Sequence, residues 1–366
     1  MGVDRSHGTA HGFVERDDRG EPTGILKELG SESPLAQHHR DVFYRRNLRE
    51  PRIRQALDDY RKAGLTSIQD NSWYAPVIHT LARWRREKML TARVSGWSFG
   101  REPSTWGPMK RAPFDKLWVR SGPRKYFLDG TYTNRTAWMT QEYPGYPGEF
   151  GMGFDPSWLE AVLVRLVRRQ QQGAFHSIGD RSTQTFLDVW TKVVKRYPEG
   201  RSLRMRLEHG QVIRPEDFAR LADLGVAIAA QPPALVNPEK DRTILGKERA
   251  LACYPHRSLL EAGVLLGFGS DYPGESFFAP LRGIHLVCNR EGPERLSPEQ
   301  ALRAYTQGSA ALEFEEHRKG TLQPGFLADF AVLSANPLAV DPKRLQDIQV
   351  ARTVVGGRTI WLSDNE

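Results

Sequence analysis

Residues 174–210 read AFHSIGDRSTQTFLDVWTKVVKRYPEGRSLRMRLEHG. The stretch opens on a short apolar run, AFHSIGD (174–180). An amphipathic segment over 181–196 follows, and a second strand-like run, LRMRLEHG (203–210), closes it. Strand, helix and strand in that order make a βα unit, and repetition of such units argues for a parallel sheet covered by helices.

The pattern continues in both directions. Toward the C-terminus, PEDFARLADLG (215–225) is a helix with Pro at its start and Gly at its end. VAIAAQPP (226–233) is a strand, HRSLLEAG (256–263) a short helix, and VLLGFGSD (264–271) a strand apolar on both faces, as a buried parallel strand is. Toward the N-terminus, helices are predicted over 51–63 and 75–88, and strands at LTSIQD (65–70), ARVSGWSF (92–99) and RKYFLDG (124–130). A Pro/Gly/aromatic loop (136–153) precedes a helix over 156–172 that carries Trp158, Val162, Leu166 and Arg169 along one side. That makes seven parallel-type strands, whereas a closed (β/α)8 barrel needs eight. After a Ser-capped helix at 297–314 the pattern changes. GTLQPGFLADFAVLS (320–334) and ARTVVGGRTIWL (351–362) read as strands of a small β appendage. The expected fold is an α/β TIM-like barrel over 1–315, holding strands two to eight, with a partial β-sandwich over 316–366.

Composition narrows the class. The 366 residues are 39% hydrophobic and 26% charged, with 9 Trp, 11 Tyr and 16 Phe, an ordinary mix for a folded protein that is too aromatic for disorder. No stretch approaches the ~20 apolar residues of a membrane span, and the N-terminus lacks the apolar core of a secretory signal. Two cysteines, Cys253 and Cys288, cannot build a disulfide framework, so a cytoplasmic location is expected. The net charge of +8 raises nucleic-acid binding, but the basic residues are scattered among acids, as in RWRREK (83–88), and no recognition motif is present, so no nucleic-acid partner is expected.

Polar residues recur where these strands end. The third strand carries Lys125 and Asp129, the fourth His176 and Asp180, the fifth Glu208 and His209, the sixth Gln231 and the seventh Asp271. In parallel barrels the active site is built at that face. Two imidazoles and a carboxylate there suit a zinc site with one position left for water. Each residue alone also has an ordinary structural reading: a hydrogen-bonded core histidine, a turn-forming aspartate, a snorkelling lysine.

Taken together, KYFLDGT, AFHSIGDRS, RLEHGQ, AAQPPA and FGSDYPGES resemble the amidohydrolase superfamily, in the branch called amidohydrolase family 3, which includes N-substituted formamide deformylases. GFVERDDRGEPTGILKE (12–28), AGLTSIQD (63–70) and SPEQALRAYTQGSAAL extend the resemblance over nearly the whole chain. The resemblance implies a metal-dependent hydrolase that cleaves a non-peptide amide-type C–N bond in a small amide or formamide through a metal-activated water. Lys125 stands where the branch can have a carbamylated lysine between two metals. His176 and His209 stand at ligand positions, and Asp271 stands at the position of a ligand that also shuttles the proton. One or two Zn2+ ions are implied. Arg181 and Gln231 are substrate-binding or supporting candidates.

One part of the family pattern is missing. No His-X-His occurs among the ten histidines; His7 and His11 are four apart, and His38 and His39 are adjacent. The expectation is therefore a chain without the family's first strand: a fragment, a natural truncation completed by a partner chain, or a catalytically impaired binding subunit. An open barrel exposes strand edges, so a homo-oligomer, or poor solubility of the chain alone, is also expected. The aromatic loop over 132–150, with Tyr132, Trp138, Tyr143 and Tyr146, is either a pocket wall or a packed surface loop.

Overall fold

The computed structural model describes residues 13–27, 44–71, 75–99 and 116–364. His7, His11, His38 and His39 lie outside them. The central element is a seven-stranded sheet: β3 (Ser67–Asp70), β4 (Arg93–Phe99), β5 (Val119–Phe127), β6 (Gly173–Ser177), β7 (Arg206–His209), β8 (Ala227–Ala230) and β9 (Leu266–Phe268). The strands lie in that spatial order and every neighbouring pair is parallel. A hairpin of β1 (Phe13–Arg16) and β2 (Pro22–Lys27) precedes the sheet. An antiparallel sheet of β10 (Phe330–Leu333), β11 (Val350–Val355) and β12 (Arg358–Leu362) follows it.

The large sheet is curled. Adjacent strands are ~4.8 Å apart, so β3 and β7, four positions apart, would be separated by ~19 Å in a flat sheet. Instead Arg206 on β7 donates to the Gln69 side chain on β3 at 2.6 Å. The sheet is thus a seven-stranded half-barrel of TIM type, with its interior crossed by side chains.

The helices on the outside follow from the sequence. In Pro156–Arg168, Asp155 caps the N-terminus by accepting from the Ser157 amide at 2.8 Å, and Pro156 needs no such partner. The buried stripe there is Leu159, Val162, Leu163, Leu166 and Val167, so Trp158 flanks the core and does not lead it. In Asp180–Arg196 the stripe runs through Thr183, Phe186, Leu187, Trp190 and Val194. These rows interlock with Phe175, Leu207 and Ile228 of the sheet. At ~25 cal/mol per Å2, burial of such apolar area is the main force holding sheet and helices together.

Several boundaries differ from the sequence reading. β5 begins at Val119, five residues early, and ends before Leu128–Gly130. The last long helix is broken into Pro298–Arg303, a π-turn over Ala304–Gly308 and Ser309–Ala311. The break follows from packing: a Cβ at Gly308 would stand 2.1 Å from the Leu266 carbonyl oxygen, so the helix meets β9 backbone to backbone. Of 320–334 only Phe330–Leu333 is strand. Helices Pro238–Leu245, Lys247–Ala252 and Pro280–Asn289 are additional to the predicted set. The first of these buries only Asp241 and Leu245, so it carries no apolar stripe to read.

The C-terminal sheet is tied to the barrel by a buried ion pair. Arg93 of β4 reaches Asp329 with Nε–Oδ2 at 2.5 Å and Nη2–Oδ1 at 3.0 Å. Its guanidinium lies 4.6 Å from the Trp118 ring. Among the described residues no helix is long and apolar enough to cross a membrane. Cys253 and Cys288 are buried and unpaired with each other.

Candidate metal centre

His176 and His209 come together. They lie on the adjacent strands β6 and β7, at the same end, with ring centroids 4.4 Å apart. Both are buried, at 7% and 8% exposure. Burial holds each imidazole in its neutral form: His176 is pushed down to about 3, and His209 falls well below the usual histidine value, with His176 and Lys125 adding to the effect.

The hydrogen bonds decide which nitrogen of each ring is free. His176 Nε2 donates to the Gly130 carbonyl at 2.9 Å, because a carbonyl can only accept. His209 Nδ1 faces Gln231 Oε1 at 2.8 Å, and Gln231 Nε2 donates to the Ala229 carbonyl at 2.9 Å, which fixes the oxygen end of the amide toward the histidine. In neutral rings this leaves Nδ1 of His176 and Nε2 of His209 as lone-pair donors.

Lys125 is buried on β5, with its amine 4.7 Å from the Phe127 ring centre. Burial lowers it to about 8, against the opposing charges of Glu208, Asp271 and Asp129. Asp271 lies three residues past β9. It is exposed as a residue, yet desolvation of its carboxyl pushes it up to about 6, Glu208 adding to this and Lys125 opposing it. Glu208 is itself engaged, accepting from Arg206 at 2.6 and 3.1 Å. His209 and Asp271 both have left-handed backbone, with φ of 79° and 53°. Non-glycine residues hold this conformation only where their surroundings determine it, as they also do at Lys88, Arg135, Gln170, Arg204, Tyr254 and Phe314.

The donor types fit a divalent ion of zinc character: two neutral imidazoles with one free nitrogen each and an amine from three strands of one sheet, and a carboxylate from the segment after a fourth. They are not a closed cage, for no three His, Cys, Asp or Glu side chains among the described residues gather closely enough to hold an ion.

The other predicted residues are placed as follows. Gln231 lies against His209, as above. Arg181 begins the Asp180–Arg196 helix, with its guanidinium 5.5 Å from the Trp138 ring and its amide donating to the Trp138 carbonyl at 3.1 Å. Asp129, which reads as a turn former, has a larger role. Its carboxylate accepts from the amides of Trp138, Ile178 and Gly179 at 3.0, 3.0 and 2.8 Å, and stands 3.7 Å from His176 Nε2. Asp180 accepts from the amide and hydroxyl of Thr140. The two aspartates clamp the 130–153 loop across the ends of β5 and β6. The loop builds a small core of its own from Tyr132, Met139 and Tyr143, while Tyr146 is exposed under Arg135. Tyr132 donates to Asp241 at 2.6 Å, joining the loop to the Pro238–Leu245 helix. An acidic residue at the end of a strand and next to Gly is the only local signal for Asp129, and it is shared with many turns.

Comparison with known proteins adds a second line of observation. The model of the amidohydrolase family matches residues 3–361. A putative amidohydrolase, YtcJ of Bacillus subtilis (strain 168), is 27% identical over 376 residues, covering 96% of this chain and 68% of its own. The N-substituted formamide deformylase of Arthrobacter pascens is 25% identical, covering 94% and 66%. The crystal structure of an uncharacterized metal-dependent hydrolase from Pyrococcus furiosus superposes with a TM-score of 0.73 at 25% identity, covering 89% of this chain and 68% of that one. The chain spans about two thirds of the length of these relatives.

Proposed function

Because the chain belongs to the amidohydrolase family, whose model matches residues 3–361, we propose that it is a metal-dependent hydrolase of an amide-type C–N bond other than a peptide bond, in a small amide or formamide. The observation that carries this reading is the pair His176 and His209, on neighbouring strands, each hydrogen-bonded so that one ring nitrogen is left to donate.

In this reading His176 and His209 would hold the zinc first, and Asp271 and Lys125, which do not gather with them into a closed cage here, would complete the set for one or two ions. Bound zinc supplies Lewis acidity, polarising a carbonyl oxygen and lowering the pKa of water. The chain's own residues do the rest. Asp271, raised to about 6, takes a proton from water and passes it to the leaving nitrogen; a carboxyl titrating near neutral pH can do both. Lys125, lowered to about 8, has at neutral pH an accessible share of the free amine that carbamate formation with CO2 requires. Asp129 keeps the Gly130 carbonyl beside His176 by fastening the loop around it. Phe127 stands 5.2 Å from the His176 ring and is 42% exposed, an apolar wall beside the donors.

The lack of any His-X-His in the sequence favours a second reading, in which the barrel is a catalytically impaired amidohydrolase-like subunit that binds a ligand or a partner. Metal content per chain, measured by elemental mass spectrometry, followed by hydrolysis assays on an amide and formamide series, separates the two. The hydrolase reading expects about one zinc per chain or more and turnover that Asp271→Asn abolishes while the fold is kept. Zinc-free protein after growth and refolding in zinc, or full turnover by Asp271→Asn, would overturn it.

A further inference from the structure

We propose that Gln231 is a positioning residue: it selects the Nδ1–H tautomer of His209 and so presents the Nε2 lone pair to a metal ion. The inference rests on the reading of His209 as a ligand and adds to it the group that makes the ring one.

A neutral imidazole has two tautomers of similar energy, and only the partner of the other nitrogen decides between them. His209 is buried, so water does not make the choice. Its Nδ1 lies 2.8 Å from Gln231 Oε1. The amide cannot present its nitrogen there without breaking the 2.9 Å bond from Nε2 to the Ala229 carbonyl. Gln231 is therefore an oriented acceptor, with both ends of its amide in use, and both residues are buried.

The backbone on each side is fixed as well. Gln231 is followed by Pro232 and Pro233, which open the 3-10 turn Pro232–Val236, and a residue before proline is confined to extended backbone. Gln231 sits there, with φ −123° and ψ 97°. His209 has φ 79° and Gly210 φ 54°, so the chain turns away directly after the ring. Loss of the Gln231 oxygen leaves a buried N–H without an acceptor. The ring then moves its proton to Nε2, onto the nitrogen that should donate, or it rotates. His176 has the opposite arrangement: its Nε2–H is held by the backbone carbonyl of Gly130. Gln231 is thus the side chain through which the donor pair can be altered without changing a ligand.

The test uses the full chain labelled with 15N-histidine, in which two-bond 1H–15N spectra of metal-free protein report the tautomer, together with Zn2+ affinity by chelator competition. The unsubstituted protein is expected to show His209 protonated at Nδ1. Gln231→Leu should mix or invert the tautomer and weaken Zn2+ binding by about 10–100-fold. Gln231→Glu, protonated in this buried position, keeps an acceptor oxygen toward His209 and a donor toward the Ala229 carbonyl, so below neutral pH it should keep the tautomer and remain within a few-fold in affinity. The proposal is overturned by an Nε2–H tautomer in the unsubstituted protein, by a Leu variant with unchanged tautomer and affinity, or by a Glu variant that loses as much as Leu. Because the tautomer is read without metal, protein that binds no Zn2+ while His209 stays Nδ1–H would refute the metal-hydrolase reading and leave the orienting role of Gln231 standing.

Discussion

His256→Phe should make the protein less sensitive to acid, and the size of the effect follows from the site. His256 opens the short helix His256–Glu261, is fully buried, and has no hydrogen-bond partner for either ring nitrogen among the described residues. It packs edge-on to Phe268 of β9, with ring centroids 5.0 Å apart, and against Tyr254 at 6.2 Å. Burial, with the Arg290 charge in support, lowers it from 6.5 to about 3. Between those two values the unfolded chain binds a proton at this position that the folded chain refuses. Stability therefore falls as pH drops through that window and is unaffected by this group above it. Each pH unit costs ~1.4 kcal/mol, so the full window is worth on the order of 4–5 kcal/mol, and the part from pH 6.5 to 4.5 about 2 kcal/mol. Phe removes the titration and also relieves two unsatisfied polar atoms, so at pH 7.5 the variant should be no less stable than the parent. Urea unfolding followed by Trp fluorescence at pH 7.5, 6.5, 5.5 and 4.5 measures this, with His256→Leu as a control for ring volume. The two variants should have flatter profiles than the parent. Parallel pH profiles for parent and variants would refute the reasoning and mean that the ring is solvated or paired in solution.

Two further perturbations test the contacts that fasten the C-terminal sheet and the 130–153 loop to the barrel. The Arg93–Asp329 pair is buried at 7% and 3% side-chain exposure, so removing one partner should cost ~3–5 kcal/mol, while Arg93→Met with Asp329→Leu should recover most of the loss. At ~2.1 cal/mol/K per residue the single variants should melt about 4–6 °C lower, and a double variant equal to the sum of the singles in calorimetry would exclude the pairing. Asp129→Ala removes three charge-assisted hydrogen bonds, each worth ~1.5–3 kcal/mol; chymotrypsin should then cut within 130–153 at native-state concentrations that leave the parent intact, and an unchanged cleavage pattern would show that the aspartate does not hold the loop.

Much of this architecture is legible in the sequence because it is periodic. The parallel sheet shows in runs such as VLLGFGSD and AFHSIGD, whose apolar character comes from burial on both faces, and the helices between them show as stripes. His176, His209 and Asp271 can be picked out because a strand end is a place as well as a residue. The illegible parts depend on contacts distant in sequence. Gln231 reads as a polar residue at the end of a strand, and only the approach of β7 makes it the partner of a residue 22 positions earlier. Asp129 reads as a turn former because its acceptors' donors, Trp138, Ile178 and Gly179, lie 9 to 50 residues away. The Pro238–Leu245 helix is hidden for the opposite reason: it is held by a cap at Asn237 and by Tyr132 on Asp241, and so has no hydrophobic period to detect.

The left-handed backbone at His209 and Asp271 needs a cause outside either strand, because each such residue costs ~1–3 kcal/mol unless its surroundings over-determine it. A chain of polar contacts across the barrel runs between the neighbourhoods of the two residues. Glu208, next to His209, accepts from Arg206 at 2.6 Å; Arg206 donates to Gln69 of β3 at 2.6 Å; Gln69 donates to the Ser309 carbonyl at 2.9 Å; and the Ser309 hydroxyl donates to the Phe268 carbonyl of β9 at 2.7 Å. The bridge starts one residue before His209 and ends three residues before Asp271. It also joins β3 to β9, the first and last strands of the described sheet, so the bonds that hold the curl end one and three residues from two of the proposed ligands. A curled sheet of seven strands could open or flatten at its free edges. Here Gln69 on the edge strand β3, held by Arg206 of β7 and bonded through Ser309 to β9, ties both edges to the strand that carries His209, so the shape of the sheet and the surroundings of the candidate donors share the same bonds.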